Sequence, residues 1–288
     1  MTNRLAYQTD LSEVEWQIVE PLLPGQKARG RKIVYSRREI LNAIFYIVRA
    51  GCAWRLLPHD FPPYRIVFHY YRTWQEDCTW TAINDLLRGQ VRQAEGRNLS
   101  PSAAIIDSQS VKTTEQAGPR GFNGHKLIKG HPQAGTRRHI LVDTLGLLLV
   151  VVIHTADVAD SVGARAILEK AHWRFSTLKQ VWADGGYVGP LVEWAKVHLQ
   201  LVIEIIKRNE QARGFQLLAR RWVVERTLAW ISRNRRLAKD YESLLESSEA
   251  MVQIAMIRLM LVRLAKHRRR EQRKKEVALA RKGYALVA

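Results

Sequence analysis

The sequence predicts an α/β domain with a mixed β-sheet flanked by helices, preceded by a helical region. Residues 10–90 carry helix-capping patterns and apolar residues at helical spacing. From about residue 100, short runs rich in Val and Ile appear instead, bounded by Gly or charged residues. The first three runs are joined by short links and the later ones alternate with helical segments, which is the order of a mixed α/β sheet.

Capping patterns define the helical region. Ser12 with Glu15 and Ser36 with Glu39 fit the capping box, and the helix that begins after Ser36 should end at Gly51. A Pro-rich turn then leads into an aromatic helix. Short, capped, basic helices fit a helix-turn-helix-like module that binds DNA, and a plain helical bundle explains the same pattern.

The sheet should contain five strands, and three helices should accompany them. The predicted strands are 103–106, 139–142, 147–153, 179–183 and 201–206. The predicted helices are 163–175, 190–199 and 217–239. Asp143 to Gly146 suits a hairpin turn between the second and third strands.

The chain is strongly basic. Its 288 residues carry 46 Lys and Arg against 27 Asp and Glu, a formal net charge of +19. Such a protein usually binds a polyanion, most often nucleic acid; ribosome association or a membrane surface is the alternative. Two cysteines exclude a disulfide framework, and the longest apolar run is too short to cross a bilayer. We therefore expect a cytoplasmic protein with no membrane partner.

Three acidic residues lie at positions where a negative charge is energetically unfavourable. Asp107 follows the first predicted strand, and Asp184 follows the fourth. Glu225 is the only acid in the basic stretch 213–239, which carries eight Arg or Lys residues. At helical spacing Glu225 falls on one stripe with Arg221, Arg236 and Lys239, opposite the apolar residues that would pack on the sheet. Converging carboxylates of this kind indicate a divalent metal that acts in phosphoryl transfer.

Each acid also has a structural explanation. An Asp at a strand end is often a turn former, and Glu225 with Arg221 fits a surface ion pair. Asp143, Asp157 and Asp160 are rival acids. Asp143 lies at the predicted hairpin, and Asp160 fits a helix N-cap. We interpret His139 as a backbone or phosphate contact rather than a metal ligand.

Six segments together resemble a known family. They are Leu41–Tyr46, Cys52–Pro58, Asp107–Lys112, Arg138–Asp143, Trp182–Tyr187 and Arg220–Arg226. The chain resembles the DDE transposases of bacterial insertion sequences, family five, from about Leu11 to Tyr241. The resemblance implies an RNase H-like catalytic domain with Asp107, Asp184 and Glu225 as its triad. Arg221 corresponds to the Arg of the family's R-x3-E motif.

The resemblance also implies a reaction and partners. Two Mg²⁺ or Mn²⁺ ions held by the triad would support DNA strand cleavage and strand transfer. The partners would be the inverted-repeat ends and a target duplex, bound by a homodimer or higher oligomer near the bacterial nucleoid. The candidate DNA contacts are Lys112, Lys126, Arg137, Arg138, His139, Arg221, Arg236 and Lys239.

One segment departs from the family pattern. Residues 131–136 intervene where members usually pass directly into the second strand, and we expect an inserted loop there. The alternatives are therefore a transposase-derived DNA-binding protein without activity, or an RNase H-like nuclease without strand transfer. We expect a helical DNA-binding or dimerisation domain at 1–95, the catalytic domain at 96–265, and a basic tail at 266–288.

Overall fold

The computed structural model describes residues 4–25, 34–115, 118–128, 131–206 and 220–285, with side chains except those of 123–133 and 280–285. The α-helices in these ranges are α1 (Glu13–Val19), α2 (Arg37–Ala50), α3 (Tyr64–Glu76), α4 (Thr79–Ala94), α5 (Asp160–Arg174), α6 (Pro190–Leu199), α7 (Arg221–Ser232) and α8 (Leu245–Ala285). The β-strands are β1 (Ala103–Lys112), β2 (Gly121–Ile128), β3 (His131–Asp143), β4 (Leu148–Thr155), β5 (Gln180–Ala183) and β6 (Val202–Ile205).

The six strands form one mixed sheet, as the sequence predicts. β3 is antiparallel to β1 on one side and to β2 and β4 on the other. β5 runs parallel to β1, and β6 runs parallel to β5. The turn between β3 and β4 begins at Asp143, whose carboxylate accepts hydrogen bonds from the backbone N–H groups of Leu145 and Leu147. This confirms the predicted hairpin.

Two predictions about the antiparallel strands are wrong. β1 does not end before Asp107 but continues to Lys112, because β3 runs beside it as far as Gly135. Residues 131–136 are the first part of β3 rather than an inserted loop, and residues 131–135 pair with β2, a strand that the sequence did not predict. Gly and Pro in this stretch weaken the apolar alternation that would have marked it as strand.

The sheet separates two apolar clusters. On one face, buried residues of β1, β3 and β4 join those of α1–α4, α7 and α8. On the other face, Ala104, Ile106 and Leu141 pack with residues of α5 and α6. Successive residues of a strand point to opposite faces, so Ile105 belongs to the first cluster and Ile106 to the second. The molecule therefore has three layers, with the sheet between two layers of helices.

The helical region follows the predicted capping. The Ser12 side chain accepts from the Glu15 backbone N–H and the Glu15 carboxylate accepts from that of Ser12, which completes the capping box of α1. Ser36 caps α2 through Arg38, whereas Glu39 binds the guanidinium of Arg4 instead of closing a second box. α2 ends at Gly51 in a left-handed conformation, as expected.

Two segments cross the predicted domain limits. The first apolar cluster contains residues from both sides of residue 95, and α8 runs unbroken through residue 265. The three-part division therefore stays a prediction. Among the described residues, no helix has an apolar stretch long enough to cross a membrane.

The basic helix is shorter than predicted. α7 ends at Ser232, and a single 3₁₀ turn at Arg235–Leu237 follows it. Residues 217–219 of the predicted helix lie outside the described residues. Because the chain turns after Ser232, Arg236 and Lys239 do not share a helical stripe with Glu225, and that part of the prediction is wrong.

Candidate active site

The strand register aligns Asp107 with Asp184. Ile105 of β1 is the partner of Trp182 of β5, and the strands are parallel, so the residues two positions further along are aligned as well. Neighbouring strands lie about 4.8 Å apart. Asp184 directly follows β5, as predicted, and Asp107 lies inside β1 at the point where β5 has ended.

The face on which these aspartates lie is the one that α7 covers. Ile105, two residues before Asp107, belongs to the cluster that includes Val223 and Val224 of α7. Glu225 follows these residues on the helix and is exposed. The three acids that the sequence predicts to converge therefore lie on one side of the sheet.

The charges of the three acids act on one another. Burial raises the pKa of the Asp107 carboxyl to about 6. The backbone N–H of Ser108, which donates a hydrogen bond of 2.7 Å, and the Arg221 guanidinium lower this pKa, while the negative charges of Asp184 and Glu225 raise it. Asp107 is thus a carboxylate whose ionised form lacks compensation, an arrangement typical of functional sites.

Arg221 links the other two acids. Its Nη2 lies 3.5 Å from Oδ2 of Asp184 and 3.4 Å from Oε1 of Glu225. The guanidinium is mostly buried, whereas about half of the Glu225 side chain is exposed. Arg221 therefore provides the positive charge between these two carboxylates.

The donor set fits a hard divalent cation, although the acids are not gathered into a complete cage. Carboxylate oxygens are the ligands that Mg²⁺ and Mn²⁺ prefer, and burial, followed by the charges of Asp184 and Glu225, raises the pKa of Asp107. Within the described ranges, however, no group of three or more His, Cys, Asp or Glu side chains is arranged to hold an ion. Glu225 would have to leave Arg221 to join Asp107 and Asp184.

Asp160 lies beside these acids, although the sequence analysis interpreted it as an N-cap. It is the first residue of α5, and Ala159 is the N-cap. Its Oδ1 accepts from Ser108 Oγ at 2.6 Å and from Arg137 Nη1 at 3.0 Å. A Cβ placed on Gly186 would lie 3.6 Å from Asp160 Oδ2 and 3.1 Å from Asp184 Oδ1. Asp160 therefore holds Arg137 and Ser108 at the edge of the site.

Tyr187 closes the same side of the site. It is fully buried, and burial followed by the charges of Asp107, Asp160 and Asp184 raises its pKa well above the usual value. The phenol therefore stays protonated and faces three carboxylates. Sequence reasoning missed it, although its place in the segment Trp182–Tyr187 marks it.

Two of the predicted DNA contacts are exposed cations at one place. Lys112 ends β1 and Lys239 follows the 3₁₀ turn, and both are exposed. The backbone N–H of Asp240 donates to the carbonyl of Lys112 at 2.8 Å, which brings the two lysines to one surface. The side chain of Lys126 lies outside the described residues.

Four other predicted contacts are buried, which does not fit a role at a DNA surface: Arg137, Arg138, His139 and Arg236. Arg138 is 1% exposed, and its guanidinium donates to the carbonyl of Leu237. His139 is 0% exposed, and burial followed by the charge of His154 lowers its pKa to about 4, so the ring is neutral. The sequence shows that these residues are basic, but charge alone does not tell which of them point into the protein and which point to solvent.

Arg236 is the last of these buried residues. Its guanidinium binds the Glu242 carboxylate at 2.7 Å and donates to the carbonyl of Cys52 at 3.2 Å. The side chain thereby ties the segment after α7 to the helical region. We correct its interpretation from a phosphate contact to a structural ion pair.

Of the three rival acids, Asp160 lies beside the site, and the other two do not belong to it. Asp143 is fully buried in an ion pair with Arg92. Asp157 is exposed in the link between β4 and α5.

A mixed sheet that brings carboxylates together under a basic helix is typical of proteins that perform phosphoryl transfer on nucleic acid. The chain belongs to the family described as "Transposase DDE domain", which matches residues 98–260, more than half of its length. Residues 11–84 match a second family, "Putative transposase of IS4/5 family". The protein is a DDE transposase of the insertion-sequence type, as the resemblance implied, and this family membership implies the RNase H-like fold.

Two curated relatives are similar to parts of the chain. The "Insertion element IS402 uncharacterized 16.2 kDa protein" of Burkholderia cepacia is 31% identical over 103 residues, which cover 34% of this chain and 69% of the relative. The "Uncharacterized protein y4sN" of Sinorhizobium fredii (strain NBRC 101917 / NGR234) is 27% identical over 118 residues, covering 41% and 88% respectively.

Proposed function

We propose that this transposase is catalytically active and that Asp107, Asp184 and Glu225 are its catalytic and metal-binding residues. The observation that carries the proposal is the alignment of Asp107 with Asp184 on the sheet face that α7 covers. The raised pKa of Asp107 supports it, because burial and then the charges of Asp184 and Glu225 disfavour the ionised carboxylate, which a bound cation would stabilise.

The chemistry would be metal-dependent cleavage of a DNA strand followed by strand transfer. Two Mg²⁺ or Mn²⁺ ions would lower the pKa of the attacking hydroxyl and stabilise the leaving oxygen. Asp107 and Asp184, fixed by backbone N–H groups of Ser108 and Gly186, would hold their place throughout. Glu225 would complete the set once Arg221 releases it.

Arg221 would then contact the substrate. Its guanidinium has two carboxylate partners here and would exchange them for phosphate oxygens, which it binds in the same planar geometry. Lys112 and Lys239, which share one exposed surface, would contact the DNA backbone further from the acids. The substrate would be duplex DNA that bears the ends of the element, bound by two or more copies of the chain.

Strand cleavage tests the proposal. Duplex DNA carrying the element's ends should be cut in Mg²⁺ or Mn²⁺ and not in EDTA. Asp107→Asn and Glu225→Gln should each lower the rate more than about 100-fold, since even partners of metal ligands contribute about 10- to 100-fold. Asp157→Asn, an exposed acid away from the site, is the control.

A second candidate function is DNA binding without chemistry. The ion pairs of Arg221 favour it, because they hold Glu225 away from a metal-binding arrangement. Tight binding to end-bearing DNA with no cleavage in either metal would support this alternative. Cleavage without joining of the 3′ ends to a target would instead indicate a nuclease.

The helical region would contribute to recognition of the ends. Its deletion is not a clean test, because α1, α2 and α4 share their apolar core with α8 and the sheet. Substitution of an exposed cation such as Arg55 leaves that core intact and should lower the preference for end sequences over unrelated DNA.

A further inference from the structure

A basic cleft lies between α2, the end of α7 and α8, away from the three acids. It has a volume of about 540 Å³. Its walls include Trp230 together with the cations Arg49, Arg233, Arg258, Arg263 and Lys266. We call it the α7–α8 cleft.

Its cations lack acidic partners. No Asp or Glu lines the cleft, and Arg258 alone among the five cations is neutralised, by Glu15 at 2.7 Å. Within the residues that the structure describes, Arg49, Arg233, Arg263 and Lys266 form no ion pair. A cleft lined by one sign of charge concentrates its electric field and attracts the opposite charge.

Two guanidinium groups lie against the Trp230 ring, that of Arg263 from the cleft lining and that of Arg226 from outside it. Those of Arg226 and Arg263 lie 4.6 and 4.5 Å from its ring centroid. Burial lowers the pKa of both groups; for Arg263 the charge of Arg226 lowers it further, while the more distant charges of Glu95 and Asp143 raise it without forming an ion pair. Two cations are thus partly desolvated beside each other, a cost that a bound anion would offset.

The cleft lies on the helix that carries Glu225. Arg233 follows Glu225 by eight residues, which is about 12 Å along a helix axis. Along the duplex axis one strand of B-DNA advances about 3.4 Å per nucleotide, so a duplex whose axis runs along α7 would cover this distance in three to four nucleotides. A DNA strand with its reacting phosphate near Glu225 would therefore bring another phosphate to Arg233.

We propose that the α7–α8 cleft binds the phosphate backbone of DNA three to four nucleotides from the bond at the acids. The proposal rests on the transposase function and adds a binding site to it. The partner is a polyanion with regularly spaced charges, since the unpaired cations come from three helices or their ends rather than from one point.

The salt dependence of DNA binding tests the cleft. The variant Arg233→Gln/Lys266→Gln removes two exposed cations and no apolar packing. Each lost phosphate contact should reduce the slope of log K against log salt by about 0.9, so the slope should fall by about 1.8. Binding is measured with the full chain in EDTA, which separates it from cleavage.

The control removes the same charge elsewhere. Lys179→Gln/Lys196→Gln changes two exposed lysines on the side of the sheet that α5 and α6 cover, and its slope should equal that of the unmodified chain. An unchanged slope in the cleft variant overturns the inference, and so does an equal fall in both variants, which would reflect net charge alone.

The two proposals fail separately. If the unmodified chain cleaves DNA and the cleft variant keeps its full salt slope, only the cleft proposal is wrong. If the cleft variant loses slope while the unmodified chain binds but never cleaves, the cleft stands and the proposed catalysis fails.

Discussion

Asp143 and Asp107 lie on neighbouring antiparallel strands of one sheet, yet their surroundings are opposite. Asp143 ends β3 and is fully buried, with one oxygen bound to Arg92 at 2.5 Å and the other accepting from two backbone N–H groups. Asp107, in the middle of β1, accepts from the backbone of Ser108 and faces two further acids. Asp143 is fully buried and Asp107 is half-buried, and of the two only Asp143 forms an ion pair.

The difference separates a structural carboxylate from the one that we propose to be catalytic. A buried charge that is fully hydrogen-bonded fixes the chain, here at the hairpin that leads into β4. A buried charge opposed by like charges retains an unfavourable interaction, which a cation can relieve. Sheets tolerate such unfavourable groups mainly at functional sites, so the contrast itself points to the region around Asp107.

The largest effect should follow from removal of the compensated charge. Asp143→Asn leaves Arg92 buried without its partner, which should lower the free energy of unfolding by about 3–5 kcal/mol. Urea denaturation at pH 7.5 measures this loss. The exposed Asp157→Asn should show no measurable change, and a loss below about 1 kcal/mol at Asp143 would mean that the ion pair is not structurally required.

Removal of the uncompensated charge should have the opposite sign. The folded-state pKa of Asp107 is about 6 against an ordinary value of 3.8, so the folded protein binds more protons than the unfolded chain in this window. Its stability therefore falls as the pH rises from about 4 to 6, and the penalty is complete above this range. Asp107→Asn should raise the stability of the metal-free protein at pH 8, by at most about 3 kcal/mol.

The same variant provides its own control through pH. At pH 3.5 the carboxyl is largely protonated in both states, so the gain from Asp107→Asn should disappear there. A gain of equal size at both pH values would assign it to packing, and a loss at pH 8 would contradict the repulsion between the acids.

The sequence could predict the parts of the fold that local signals define. α6 has its predicted bounds, because Pro190 starts it, and Gly51 ends α2 as expected. Asp184 could be placed because β5 is a short apolar run that stops where the apolar residues stop. To predict that Asp107 and Asp184 converge, it was enough to assume that β1 and β5 are neighbouring strands.

The remaining features depend on partners distant in sequence. β1 extends past Asp107 because β3 accompanies it, and no local pattern marks that pairing. The burial of Arg138 and Arg236 depends on Leu237, Glu242 and Cys52, which fold against them from other segments. Composition identified the protein as basic, but only the packing distinguishes cations that bind DNA from cations that hold the fold.

The smallest effect should come from substitution of Arg221, whose positive charge lies beside Asp184 and Glu225. Arg221→Ala removes a positive charge that lies 3.5 Å from Asp184 and 3.4 Å from Glu225 and that would repel an incoming Mn²⁺ ion. Mn²⁺ should therefore bind about three- to tenfold more tightly, a change of about 1 kcal/mol. Isothermal titration calorimetry measures this change in Mn²⁺ affinity. It is carried out at pH 8, where Asp107 is ionised with or without Arg221.

Arg220→Ala is the matched control. This guanidinium lies one residue away and binds Glu204 at 3.4 Å, so its removal changes the net charge equally without freeing the acids. Tighter Mn²⁺ binding in both variants would indicate general electrostatics. Weaker binding in Arg221→Ala alone would mean that Arg221 positions the carboxylates for the ion instead of competing with it, and the acids would then depend on that arginine for their arrangement.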